Sequence, residues 1–80
     1  MSQWIQPDRI LDARGLYCPD PVLKTAVEMG KLAVGQVLEV LADDPAAEED
    51  IQSWVRTTGQ HLLKLYKEGN QFRFLIKKVR

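Results

Sequence analysis

A second cysteine is missing from this chain, and that absence excludes the most. Cys18 stands alone, so no disulfide framework can form within the chain, and a dithiol redox centre lacks its resolving partner. His61 is the single histidine; one cysteine and one histidine fall short of a zinc ligand set, so no metal is expected. Net charge is also missing: 11 Lys and Arg balance 11 Asp and Glu. The global attraction that drives non-specific nucleic-acid binding is therefore absent, and no direct nucleic-acid contact is expected. No apolar run approaches the roughly 20 residues of a membrane span. The N-terminus, Met1-Ser2-Gln3-Trp4-Ile5-Gln6-Pro7-Asp8, has neither the basic start nor the apolar core of a signal peptide. A soluble cytoplasmic protein with a reduced thiol is the expectation.

What is present suits one small domain. Of 80 residues, 45% are hydrophobic and 28% charged, and a chain of this size buries only about 60% of its unfolded surface. Little room remains for an internal substrate cavity, so chemistry belongs at the surface. The charge is unevenly spread. Glu39, Asp43, Asp44, Glu48, Glu49 and Asp50 form an acidic stretch, whereas Arg73, Lys77, Lys78 and Arg80 make the end basic. Most of these residues read as solvated faces; the sharper reading is a docking surface for a charged partner.

No repeat or linker divides the chain. Residues 1–8 read as a flexible arm and 9–80 as a single domain. Arg9-Ile10-Leu11-Asp12-Ala13 is a short strand closed by Arg14-Gly15-Leu16. Pro19 and Pro21 then open a helix, where proline is tolerated, with Val22, Leu23, Ala26, Val27 and Met29 as its apolar stripe. Val37–Ala42 is a strand with Leu38, Val40 and Ala42 towards the core. Asp44-Pro45 reads as cap and first residue of a second helix, buried through Ala47, Ile51, Trp54 and Val55 and stopped at Gly59. Runs 62–67 and 72–77 read as a hairpin around Gly69-Asn70, with Leu63, Leu65, Phe72, Phe74 and Ile76 inward. The order β-α-β-α-β-β predicts an α+β two-layer sandwich, two helices on one face of a mixed four-stranded sheet.

Leu16-Tyr17-Cys18-Pro19-Asp20-Pro21 is the most informative segment. Pro19 pushes Cys18 out of helical geometry, which places the thiol in a loop just before a helix. The helix N-terminus favours a thiolate there, Asp20 opposes it, and Arg14 and Lys24 can offset Asp20; a moderately lowered pKa is expected. A buried cysteine acting as a small hydrophobe is the bland alternative. A protease needs a histidine within reach and a cleft. A phosphatase loop needs arginine where Lys24 stands, and glutaredoxin-like chemistry needs a cysteine where Pro21 stands. A sulfur carrier benefits from a lone thiol, because a neighbouring thiolate would attack the carried persulfide and release it as sulfide.

At these residues the sequence resembles the TusA/SirA family of sulfur-transfer proteins. The likeness runs through 11–21, with its Cys-Pro-x-Pro motif and the Asp-x-x-Gly ahead of it. It resumes at 42–46, Asp50-Ile51 and 72–78, and so covers the chain beyond the arm. The resemblance implies the same sandwich and a persulfide on Cys18, with no other cofactor. Asp12, Gly15, Pro19 and Pro21 would support the cysteine loop; Asp12 would bond its backbone, and Asp44 would cap the second helix. Arg14, Lys24, Asp43 and Asp44 are candidate docking residues. A cysteine desulfurase or rhodanese is the implied donor and a DsrE-like or other relay protein the acceptor, with 2-thiouridine in tRNA as one destination. Sulfur oxidation, thiosulfate uptake and a purely regulatory interaction module are the alternatives. Gly59-Gln60-His61 departs from the family's Gly-His, so His61 is left out of the site. A monomer is the simplest expectation.

Overall fold

Alternation in Val37–Ala42 and Gln71–Lys77 builds the centre of the molecule. The computed structural model describes residues 6–80. It places β1 at Arg9–Asp12, α1 at Asp20–Gly30, β2 at Val37–Ala42, α2 at Ala47–Thr58, β3 at His61–Glu68 and β4 at Gln71–Lys77. The four strands lie in the order β1-β2-β4-β3. β1 runs parallel to β2, with Asp12 opposite Leu41; β4 runs antiparallel to both β2 and β3. The parallel pair requires a crossover, which α1 supplies.

On β2 and β4 the pairs Leu38–Ile76, Val40–Phe74 and Ala42–Phe72 face each other across the ladder. All six side chains are buried on the face that packs against Met29 of α1 and Ala47, Ile51 and Val55 of α2. The two helices cover that one face. On the other face Arg73 sits over the Tyr66 ring, 5.8 Å from its centroid, and pairs with Glu39 at 3.7 Å. This is the predicted two-layer arrangement.

Three local expectations are corrected, and a fourth falls mostly outside the described residues. α1 does not bury Leu23, Ala26 and Val27; its buried residues are Pro21, Thr25 and Met29. The helix carries apolar residues around most of its circumference, so spacing alone does not choose its phase. Thr25 can lie inside because its hydroxyl donates to the Pro21 carbonyl at 2.7 Å. Leu23 and Val27 are left 56% and 59% exposed.

α2 begins at Ala47, not at Pro45, which lies in the preceding turn. In β3 the register shifts between Leu62 and Lys64. This bulge places an extra residue in the strand, so Leu62 rather than Leu63 joins Leu65 against the core. Finally, of the expected arm, residues 1–5 lie outside the described residues, while Asp8 is tied down. Its N–H donates to the Val37 carbonyl at 2.8 Å, and its carboxylate accepts from the Val37 N–H at 2.8 Å.

Gly59 ends α2 as expected, at φ +79°. The Gly59 N–H donates to the Arg56 carbonyl and the Gln60 N–H to that of Val55, the bonding of a Schellman motif. Gln60 then accepts from the Val79 N–H at 2.8 Å and donates to the Arg80 carbonyl at 2.9 Å, which fastens the end of the chain.

Candidate functional site

The parallel pairing of β1 and β2 puts the carboxyl ends of both strands at the same edge of the molecule. Ligand and reaction sites in α/β folds favour such edges because the loops leaving neighbouring parallel strands meet there. Here the loop after β1 carries Cys18 and the loop after β2 carries Asp43 and Asp44.

The cysteine loop opens with a turn. The Leu16 N–H donates to the Ala13 carbonyl at 3.3 Å, with Gly15 at φ +85° in its third position. A side chain there would be strained, which is why glycine follows Arg14. A second turn follows at once. The Asp20 N–H donates to the Tyr17 carbonyl at 2.8 Å around a cis Cys18–Pro19 bond, the pattern of a type VI turn. α1 starts directly afterwards, and Cys18 is a free, exposed cysteine.

The β2–α2 junction holds this loop at two points. The Asp43 carboxylate accepts from the Gly15 N–H at 2.9 Å. The Asp44 carboxylate accepts from the Cys18 N–H at 2.8 Å with one oxygen, and from the Ala46 N–H at 3.2 Å with the other. Asp44 therefore does not cap α2; the residue preceding that helix is Ala46, which has no side-chain cap. Having a tight turn at 45–46 before the helix begins leaves the carboxylate of Asp44 free to reach across to the cysteine. Asp12 bonds the loop's backbone as expected, and it grips the Arg14 side chain as well. It takes the backbone N–H and a two-pronged guanidinium grip from Arg14, at 3.1, 2.9 and 2.9 Å, and these bonds hold its carboxyl down at about 2. The pair is exposed, so its contribution to stability is small.

The largest correction concerns the thiol itself. The expected lowering is reversed: the Cys18 thiol is pushed above its ordinary value. A hydrogen bond to the Asp50 carboxylate contributes most, then desolvation, then repulsion from Asp50 and Asp44. The backbone explains why the helix end does not compensate. Pro19 and Pro21 have no N–H, the Asp20 N–H is spent on Tyr17, and the Leu23 N–H is spent on Pro19 at 3.0 Å. The prolines that fix the sulfur also leave the helix few donors to welcome an anion, the Val22 N–H among them. Arg14 is committed to Asp12, and Lys24 is exposed on α1. The acids that act on the sulfur come from the β2–α2 side, not from Asp20.

Asp50 is the residue that sequence reasoning missed. The sequence marks it as one member of the acidic stretch and as a position of the family resemblance, with no link to the thiol. The signal lies in the topology: once β1 and β2 are parallel, the first turn of α2 and the loop before α1 share an edge. Cys18, Gly15, Asp43, Asp44 and Asp50 come together there. His61 sits at the start of β3, opposite Lys77. A surface depression of about 260 Å³ lies beside the β3–β4 turn, lined by Leu41, Tyr66, Phe72 and Arg73 among others, and includes no residue of the cysteine loop. No helix among the described residues is long and apolar enough to cross a membrane.

Comparison with known proteins identifies the family and the fold. The chain is 42% identical over 71 residues to the sulfur carrier protein TusA of Allochromatium vinosum, covering 89% of this chain and 93% of that one. A longer protein of Aquifex aeolicus is 46% identical over 75 residues, 94% of this chain but 38% of its own length. The crystal structure of a SirA-like protein from Desulfitobacterium hafniense superposes with a TM-score of 0.78 at 23% identity, over 90% of this chain and 99% of that one, and shares the fold. The family model for the sulfurtransferase TusA matches residues 9–78, and the chain belongs to that family of sulfur carriers.

Proposed function

We propose that this protein is a sulfurtransferase of the carrier type, which holds sulfane sulfur as a persulfide on Cys18 and relays it between proteins in the cytoplasm. The observation that carries the reading is a single exposed thiol on a braced loop, with no second cysteine in the chain to discharge it. The Cys18 thiolate attacks the outer sulfur of a donor persulfide. The donor's S–S bond breaks, a new S–S bond forms on Cys18, and the donor leaves as its thiolate. An acceptor thiolate then attacks the outer sulfur, and Cys18 leaves in turn. The sulfane sulfur keeps its oxidation state throughout, so neither an oxidant nor a reductant is consumed. Carried sulfur is the only cofactor this chemistry calls for.

The donor in this reading is a cysteine desulfurase or a rhodanese. The acceptor is a DsrE-like or other relay protein, with tRNA 2-thiouridine as a destination and sulfur oxidation or thiosulfate uptake as the alternatives. Docking on proteins is supported by the apolar surface beside the sulfur, where Tyr17 is 73% exposed and Leu23 and Val27 are more than half exposed. Lys24 and Arg14 border the same edge as polar docking residues, while Asp43 and Asp44 have bonds of their own to keep. The test is intact mass after incubation with a cysteine desulfurase and free cysteine. The reading expects an adduct of one sulfur atom, removed by reductant; an unchanged mass under conditions that load another family member refutes it.

A further inference from the structure

We propose that Asp44 is a positioning residue for Cys18: its carboxylate fixes the cysteine backbone, and its charge, with that of Asp50, keeps the sulfur slow to react with electrophiles in the free protein. This rests on the carrier reading for its purpose, though not for its chemistry. The geometry is a cluster. Asp44 spans 26 positions of sequence to accept from the Cys18 N–H at 2.8 Å, and Asp43 fixes the other end of the loop through Gly15. Together they tie both turns of the loop to the β2–α2 junction, so the sulfur's place is set by two carboxylates rather than by packing. An acceptor at Asp44 is needed for that bond, and asparagine could supply it. A full negative charge is not needed, and it works against a thiolate.

The other charged groups around the loop do not cancel it. From the cysteine loop itself, Arg14 is gripped by Asp12, and Asp12 by Arg14. From α1, Asp20 adds a further acid and Lys24 is exposed. From α2 comes the Asp50 carboxylate, which raises the thiol, while Glu48 pairs with Lys67 at 3.1 Å and Glu49 with Arg56 at 3.3 Å. From the β2–α2 loop come Asp43 and Asp44. Acid outweighs free base on every side of the sulfur except Lys24. A thiol in such surroundings ionises at higher pH than a free cysteine, so less thiolate is present at neutral pH. The gain to a carrier is protection: stray electrophiles react with thiolate, not thiol.

The experiment is the pH–rate profile of Cys18 alkylation by iodoacetamide in the unaltered chain, Asp44→Asn, Asp44→Ala and Asp50→Asn, each checked by thermal melting. Removing one negative charge lowers the midpoint, here by about half to one pH unit. A one-unit fall gives tenfold more thiolate, of which lower nucleophilicity takes back about threefold, so alkylation at neutral pH rises about two- to fourfold. Asp44→Asn should show that rise, and its sulfur loading should quicken with it, because loading is also an attack by the Cys18 thiolate. Asp44→Ala should move the midpoint similarly but load sulfur more slowly, because the loop has lost its acceptor. A purely structural Asp44 would leave the midpoint where it is. An unmoved or raised midpoint in folded Asp44→Asn overturns the proposal. If Asp44→Ala does not fold, Asp50→Asn decides in its place, and its midpoint must also fall. Absence of any sulfur adduct on the unaltered chain would sink the carrier reading instead, and would leave the alkylation profiles intact.

Discussion

Phe74→Ala is expected to cost about 3–5 kcal/mol of stability. Phe74 is fully buried at the middle of β4, opposite Val40 on one side and Leu65 on the other, with the Phe72 ring 6.3 Å away. Cutting it to alanine removes apolar burial and opens a cavity between sheet and helices. The strands on either side are fixed by their ladders and cannot close in to fill it. Domains of this size bury a modest share of their surface and have about 5–15 kcal/mol to lose. The variant should therefore unfold at much lower urea, with the dependence on denaturant little changed. Leu23→Ala is the control: Leu23 is apolar too, but more than half exposed, so its loss should fall within about 0.5 kcal/mol. Similar costs for the two substitutions would mean that the phase assigned to α1 is wrong.

Cys18→Ser is expected to do the reverse, leaving stability nearly intact and abolishing sulfur transfer. The side chain is exposed, so the fold loses little, within about 0.5 kcal/mol. A hydroxyl neither ionises near neutral pH nor forms the S–S bond on which the relay depends. In a mixture of desulfurase, this chain and an acceptor protein, sulfur reaching the acceptor should drop to the level seen with the chain omitted. Full transfer by Cys18→Ser would show that the protein works by docking alone, as a regulatory module would.

Much of the fold is legible in the sequence because its central strands obey simple patterns. The alternation of Leu38, Val40 and Ala42 and of Phe72, Phe74 and Ile76 fixes one buried face, and Gly59 and Gly69-Asn70 mark two chain reversals. α1 is less legible, since Leu23, Ala26 and Val27 are as apolar as the residues that are buried. The bulge at Leu63 is invisible in the sequence because it is set by pairing with β4, not by local residues.

At the site, the position of Cys18 follows from its two prolines, but the ionisation of its sulfur does not. Proximity in sequence favours Arg14, Lys24 and Asp20 as its electrostatic neighbours. Parallel pairing of β1 and β2 brings Asp44 and Asp50 there from more than 25 residues away. The prolines' missing N–H groups, a feature readable from composition alone, have a second effect beyond starting the helix: they weaken its hold on an anion.

Loaded protein, freed of donor and mixed in a single turnover with a thiol-bearing acceptor, offers the most direct measurement. Mass spectrometry of both partners follows the cargo. One sulfur atom should leave Cys18 and appear on the acceptor, with the carrier returned as an unmodified thiol. Sulfur that stays on Cys18, or escapes as free sulfide while the acceptor gains none, would contradict a protein built to hand its cargo on.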